Sequence, residues 1–354
     1  MTPTDAPGSV LDQSPHRAPA APSTSSPAAS DPATSPAFPL ADALDEALAS
    51  GGAGLDRLAA LRPADRRDRF LALLAIYDLH TAPLEQVADR ARFQHDPAVA
   101  ALKGRLEGEW LAELDAHWEA AGPITFCEGS AEVVQAMRAI AARDRLPAAY
   151  RWLAKTATRE QLVHFLALEG GPDGGFDDLI ALCQVGLSGS AKLELGKNYW
   201  DEMGQGDAAG VHTELHRRCV DALELPTVPR RDLPVEALER AAFGGMLGTN
   251  RWLQPEMIGA LGLLELQAGP RCRLVLQGLD RLGAPQDAYP FYVEHAEVDP
   301  IHGKDWMDKA IEPLAGERPE WGARMVKGAY WRATLNLQFF AAVMGDLVED
   351  SRAA

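Results

Sequence analysis

Glu294-His295-Ala296-Glu297-Val298-Asp299-Pro300-Ile301-His302 is the stretch on which the reading of this chain turns. In a helix, His295 and Asp299 lie four residues apart, Asp299 and His302 three, and His295 and His302 seven. Each spacing returns to one face of the cylinder, so two imidazoles and a carboxylate point the same way. Nitrogen and oxygen donors converging on one face suit a divalent transition metal such as iron or manganese. A local reading competes: Asp299-Pro300 is a good N-cap followed by proline at the first helical position. A helix starting there would leave His295 outside it. The alternative is one helix from about Tyr289 to Leu314, kinked at Pro300, with local strain of ~3 kcal/mol. The motif alone favours neither.

At 354 residues the chain can bury a substantial core, as one large domain or two smaller ones. Hydrophobic content of 47% and charged content of 24% are those of an ordinary soluble globular protein. The net charge of -17 argues against nucleic acid and against anionic membrane surfaces as partners. Cys127, Cys183, Cys219 and Cys272 form no C-x-x-C pair, so they read as reduced, mostly buried small residues. The N-terminus has no basic segment followed by an apolar stretch, and no run approaches the ~20 apolar residues of a membrane span. The expected location is the cytoplasm.

Residues 1 to about 38 are Pro, Ala, Ser and Thr with almost no large apolar side chains, a composition expected to stay disordered. From about Leu40 the texture turns helical, with Leu40, Leu44 and Leu48 in one segment and Phe70, Leu73, Leu74, Ile76 and Tyr77 in the next. Two or three helices run to about residue 120, giving an N-terminal helical extension over 39–125. A second region, 126–350, reads as helices broken by Gly/Pro punctuation at 170–175, 226–234, 269–270, 283–285 and 313–319. Strand alternation is nearly absent, so the expected fold is all-α.

Other residues look out of place in a plain helix bundle. Glu169 ends the apolar run Leu162 to Leu168, and Glu265 interrupts Leu261-Gly262-Leu263-Leu264-Glu265-Leu266. A buried carboxylate needs a cationic partner such as a metal, unless the residue simply faces water at a helix edge. Asp201-Glu202 precedes His212 across Gly204 and Gly206. On an unbroken helix Glu202 would be about 80° out of phase with His212 and Asp201 about 20°, but the glycines can unwind the segment. Phase leaves the choice open. His212-Thr213-Glu214-Leu215-His216 lacks the Glu that H-E-x-x-H requires after its first His, so His216 reads as a packed histidine or a spare ligand.

Taken together, these pieces resemble the haem-oxygenase-like non-haem diiron proteins, the iron-containing redox enzyme family. The resemblance rests on Glu169 before a glycine break, Asp201-Glu202-Met203-Gly204-x-Gly206 leading to His212, Glu265, and His295-x-x-x-Asp299-x-x-His302, over about residues 145–340. It implies a haem-oxygenase-like helical bundle in which Glu169, Glu202, His212, Glu265, His295, Asp299 and His302 hold two irons. It favours Glu202 over Asp201 and one kinked helix over a cap at Asp299. Pro300 inside the last ligand helix and His216, where an aromatic residue is usual, depart from the pattern. Four carboxylates match the four positive charges of two Fe(II) ions, and three neutral histidines add affinity without charge. The chain has no Glu-x-x-His, which disfavours ferritin-like bundles.

The function implied is an O2-dependent oxidase or oxygenase of a small molecule, by N-oxygenation, desaturation or oxidative C–C cleavage of an amine, amino acid or fatty acid. An electron donor and a homodimer are compatible partners. The rival readings are a catalytically silent helical scaffold and a Mn- or Zn-dependent hydrolase. Within the ligand set, His295 and His302, fixed on one helix, are expected to anchor one iron together, with Glu202 and His212 holding the other. Residues 1–38 offer no core and few ligands, so their deletion should leave the iron stoichiometry unchanged; loss of iron from a folded truncation would contradict this.

Overall fold

The computed structural model describes residues 38–121, 129–143, 148–170 and 175–353, with side chains to residue 345. Among these the chain is helical throughout, without a strand. In order the α-helices are α1 (Pro39–Ala49), α2 (Arg66–Thr81), α3 (Leu84–Val87), α4 (Pro97–Ala120), α5 (Ser130–Arg143), α6 (Ala148–Lys155), α7 (Arg159–Glu169) and α8 (Phe176–Cys183). They continue as α9 (Gly189–Glu202), α10 (His212–Leu223), α11 (Val235–Thr249), α12 (Gln254–Arg281), α13 (Pro290–Trp306), α14 (Glu312–Glu317) and α15 (Pro319–Ala353). The expected all-α fold is present. The proposed tail before residue 38 and Cys127 lie outside the described residues, while Cys183, Cys219 and Cys272 are buried free thiols. No helix among the described residues is long and apolar enough to cross a membrane.

Local chemistry explains where several helices begin. Asp96 accepts from the N–H groups of Ala98 and Val99, and Pro97 stands at the first position of α4. Thr158 and Gln161 form a reciprocal capping box at the start of α7. α1 has no side-chain cap of its own; the buried carboxylate of Asp68 on α2 accepts from the N–H groups of Leu40 and Ala41 instead. The N-terminal helices share their core with the later ones through an edge-to-face chain of rings. Phe70 meets Trp110 at 4.9 Å between centroids, Trp110 meets Phe243 at 6.4 Å, and Phe243 meets Trp331 at 6.4 Å.

α12 lies at the centre, packed along α13 on one side and α15 on another. It corrects one sequence expectation, because its 28 residues run straight through Gly269-Pro270. Tertiary packing overrides the breaker here: the bare face of Gly269 receives the ring of Pro300, to which a Cβ would come within 2.8 Å. α13 likewise continues through Pro300, so the single-helix reading holds. Proline lacks an N–H, which deprives the carbonyl four residues earlier of its helical donor. That carbonyl, on Ala296, accepts from Arg273 of α12 at 2.6 Å. The helix then passes a π turn (Met307–Ile311) into α14, and the expected break falls at Arg318 before Pro319.

Gly303 on α13 sits against α12, where a Cβ would stand 2.9 Å from the carbonyl oxygen of Glu265. Gly303→Ala should force the helices apart and cost roughly 1–3 kcal/mol. Gly108→Ala, on an exposed part of α4 with open space around it, should instead gain about 0.5–1 kcal/mol. Urea midpoints check both, and a Gly303→Ala variant as stable as the parent would contradict the packing argument.

Candidate metal centre

Two groups of side chains meet at spacings that a metal ion requires. Glu202, His212 and His295 each bring a donor atom, all within 4.8 Å of one another, and so do Glu265, Asp299 and His302. All six are buried except His295, which is half-buried. Glu202 ends α9 and His212 opens α10. The turn between them is tight: Gly204 and Gly206 have φ of +59° and +92°, and a Cβ on Gly204 would come within 2.6 Å of the backbone nitrogen of Val211. The unwinding closes the loop on itself, so the phase of an unbroken helix does not apply and Glu202 faces His212. In the second group α12 supplies Glu265, and α13 supplies Asp299 and His302 at i, i+3.

This arrangement corrects the expectation that His295 and His302 anchor one ion. His295 gathers with Glu202 and His212, and His302 with Glu265 and Asp299, two turns and about 10.5 Å further along the axis. They share a face but serve different groups. Glu169 joins neither triad; its carboxylate accepts from Tyr150 Oη at 2.9 Å and lines the adjacent cavity. His216 also joins neither. Its ring packs against Phe291 at 5.0 Å and beside Gly170, and burial lowers its pKa.

The donor atoms fit a cation. Glu202 Oε2 and His212 Nδ1 are 2.8 Å apart, and Glu265 Oε2 and His302 Nδ1 are 3.6 Å apart. His212 Nδ1, Glu265 Oε2 and His302 Nδ1 are nonetheless buried without a hydrogen-bond partner. Such a group costs about 1–3 kcal/mol unless something else satisfies it, and a shared ion does so for a whole triad.

Electrostatics agrees. Burial, then the charges of Glu265, Glu202 and Glu294, push the Asp299 pKa well above the usual carboxylate range. Burial disfavours a charged His302, but Glu265 and Asp201 outweigh it and raise its pKa to about 9. His212 is raised in the same way, Glu202 outweighing burial. His295 is lowered to about 4 by burial and by His212. The interior therefore gathers negative charge that protons alone would have to neutralise. The influence of Glu202, from the first triad, on Asp299 of the second places the two within electrostatic reach.

Both triads open on one cavity of about 290 Å³, lined by Glu202, His212, Glu265, His295 and Asp299 together with Tyr150, Phe291 and Leu264. Arg240, Arg271 and Arg332 also reach it. Sequence reading missed Asn198 and set Asp201 aside in favour of Glu202. Asn198 Nδ2 donates to Glu265 Oε1 at 2.8 Å, and Asp201 Oδ2 accepts from His302 Nε2 at 2.9 Å. Their spacing from Glu202 (i, i+3, i+4 over 198, 201 and 202) was the available signal, since it places all three on one helix face.

Residues 163–337, which carry both triads, match the iron-containing redox enzyme family. The chain belongs to this haem-oxygenase-like family. No individually curated protein matches it.

Binding an ion must displace protons from Asp299 and His302. With its pKa raised from the ordinary 6.5 to about 9, His302 stabilises the metal-free fold below about pH 6.5, and this is lost as pH rises through about 9. The gain in Tm on adding a divalent metal should therefore grow between these limits, and binding near neutral pH should release protons. Calorimetry in buffers of different ionisation heat measures the release; buffer-independent heats and a pH-independent Tm gain would contradict it.

Proposed function

We propose that this chain is an O2-dependent non-haem diiron oxidase or oxygenase of a small molecule. The observation that carries the reading is the pair of triads opening on one shared cavity. Glu202, His212 and His295 would hold one iron, Glu265, Asp299 and His302 the other, and Glu169 would add the fourth carboxylate from the cavity wall. The bound irons would supply O2 activation and the redox equivalents. The residues 126–350 contain this chemistry in our reading, and 39–125 form a helical extension that contributes none of it.

The protein's own contribution is a charge-balanced, largely dry chamber. Four carboxylates offset two Fe(II) ions, which the low-dielectric interior demands. Leu264, Val275, Phe176 and Phe291 line the cavity with apolar surface and limit water beside the ligands. Arg240, Arg271 and Arg332 add positive charge to its wall, which suits a substrate with an anionic group such as an amino acid or fatty acid carboxylate. N-oxygenation, desaturation and oxidative C–C cleavage are all compatible with such a chamber.

Anaerobic loading with Fe(II), metal analysis and O2 uptake test the proposal. Two irons per chain and O2 consumption are expected. His212→Ala and His302→Ala should each leave about one iron and abolish O2 consumption, because they strike different triads. A chain that takes up no metal would instead be a helical scaffold, and one that holds Zn(II) or Mn(II) without consuming O2 would favour hydrolysis.

A further inference from the structure

We propose that Asp201 and Asn198 are positioning residues that decide which atoms of His302 and Glu265 face the ion, and that His302 binds through Nδ1 while His295 binds through Nε2. This deepens the metal reading above and rests on it. A neutral imidazole carries one N–H and one lone pair, and the partner of the N–H fixes which nitrogen is left for a metal. An ionised carboxylate can only accept, so the 2.9 Å contact between Asp201 Oδ2 and His302 Nε2 puts the proton on Nε2. In the neutral ring that binds metal the lone pair is then on Nδ1, which is buried, without a hydrogen-bond partner, and 3.6 Å from Glu265 Oε2.

Glu265 is oriented by the same logic. The buried Asn198 donates its amide to Oε1 at 2.8 Å, and Oε2 is left without a partner, turned toward His302. Once the proton of Nδ1 is displaced, two lone-pair atoms face each other, an arrangement that a cation reconciles. His295 is set the opposite way: its Nδ1 lies 2.7 Å from the carbonyl oxygen of Phe291, one turn earlier on α13. A carbonyl only accepts, so Nδ1 carries the proton and Nε2 is the donor to the first triad.

Both supports stand on α9, which also delivers Glu202. One helix therefore provides a ligand of the first triad and the orienting partners of the second. Gln205 Nε2, at the turn where α9 ends, donates to the other oxygen of Asp201 at 2.9 Å and holds that carboxylate in place. A carboxylate behind a metal-binding histidine also makes the ring a stronger donor.

The test uses the full chain carrying ring-15N histidine and loaded with Zn(II) as a diamagnetic probe. Long-range 1H–15N spectra distinguish a metal-bound from a protonated ring nitrogen, with signals assigned by His295→Gln and His302→Gln. The expected result is a protonated Nε2 and metal-bound Nδ1 for His302, and the reverse for His295. In parallel Zn(II) titrations, Asp201→Ala should weaken one of the two ions by about 10–100-fold and leave the other within a few-fold of the parent. Asp201→Asn, whose side-chain oxygen still accepts from Nε2, should restore most of that affinity. A His302 bound through Nε2, or an Asp201→Ala variant that holds both ions like the parent, overturns the inference while leaving the metal reading intact. Uptake of no metal at all overturns both. If Asp201→Ala does not fold, the parent spectrum and Asp201→Asn decide.

Discussion

Where α12 and α13 cross, Gly303 brings the second helix so near the backbone of Glu265 that one methyl group would stand 2.9 Å from its carbonyl oxygen. One turn away the ring of Pro300 fills the space that a side chain on Gly269 would take. This close approach sets Glu265 beside Asp299 and His302, and the remaining helices are arranged around it. α15 meets the same α12 through another backbone contact, in which Gly259 lies against Met325 and Gly328 against Glu256. Small residues on the contacting faces let three long helices approach at short range, which larger side chains would prevent.

Drawing two carboxylates and an imidazole together in a dry interior is costly, and the rest of the molecule shows how buried charge is handled where no ion is needed. Glu107 is occupied by Tyr77 Oη at 2.8 Å, Lys103 Nζ at 3.0 Å and Asn250 Nδ2 at 2.8 Å. Glu256 receives Arg324 through two contacts of 2.7 Å. Each of these acids has its cation built into the fold. Glu265 and Asp299 are placed differently: Glu265 has a neutral amide on one oxygen and a histidine facing the other, and burial together with the charges of Glu265 and Glu202 holds Asp299 toward its protonated form. The contrast within one protein separates structural ion pairs from an arrangement made for an external charge.

The fold class and most of the side chains that meet in the two triads were legible because they rest on short-range regularities. Apolar spacing of three and four residues marks the helices, and His295, Asp299 and His302 declare a shared face by number alone. Glu265 could be read because a carboxylate inside Leu263-Leu264-Glu265-Leu266 contradicts its surroundings. Resolving Glu202 from Asp201 needed the resemblance, since their relation to His212 passes through positive-φ residues that helix phase cannot describe. Gly269-Pro270 was misread as a break for a related reason: the local penalty is visible in the sequence, whereas the α13 surface that compensates for it is some thirty residues away. The pairing of ligands into triads was equally hidden. A common face says nothing about axial distance to partners on other helices, and that distance assigns His295 and His302 to different groups.

Pro300 joins these two themes. Its missing N–H deprives the Ala296 carbonyl of a helical partner, and Arg273 reaches across from α12 to replace it. The proline thus converts a bond that would have stayed inside α13 into one between helices, at the crossing where Gly269 receives its ring. It lies between His295, which serves one triad, and His302, which serves the other, and it directly follows Asp299. A helix without proline would keep its own hydrogen bonds and could slide or rotate against α12 with less loss. With it, the orientation of α13 is tied to α12 at the point where both triads draw their ligands. A residue that weakens the isolated helix by ~3 kcal/mol therefore fixes the relation between helices on which the site depends.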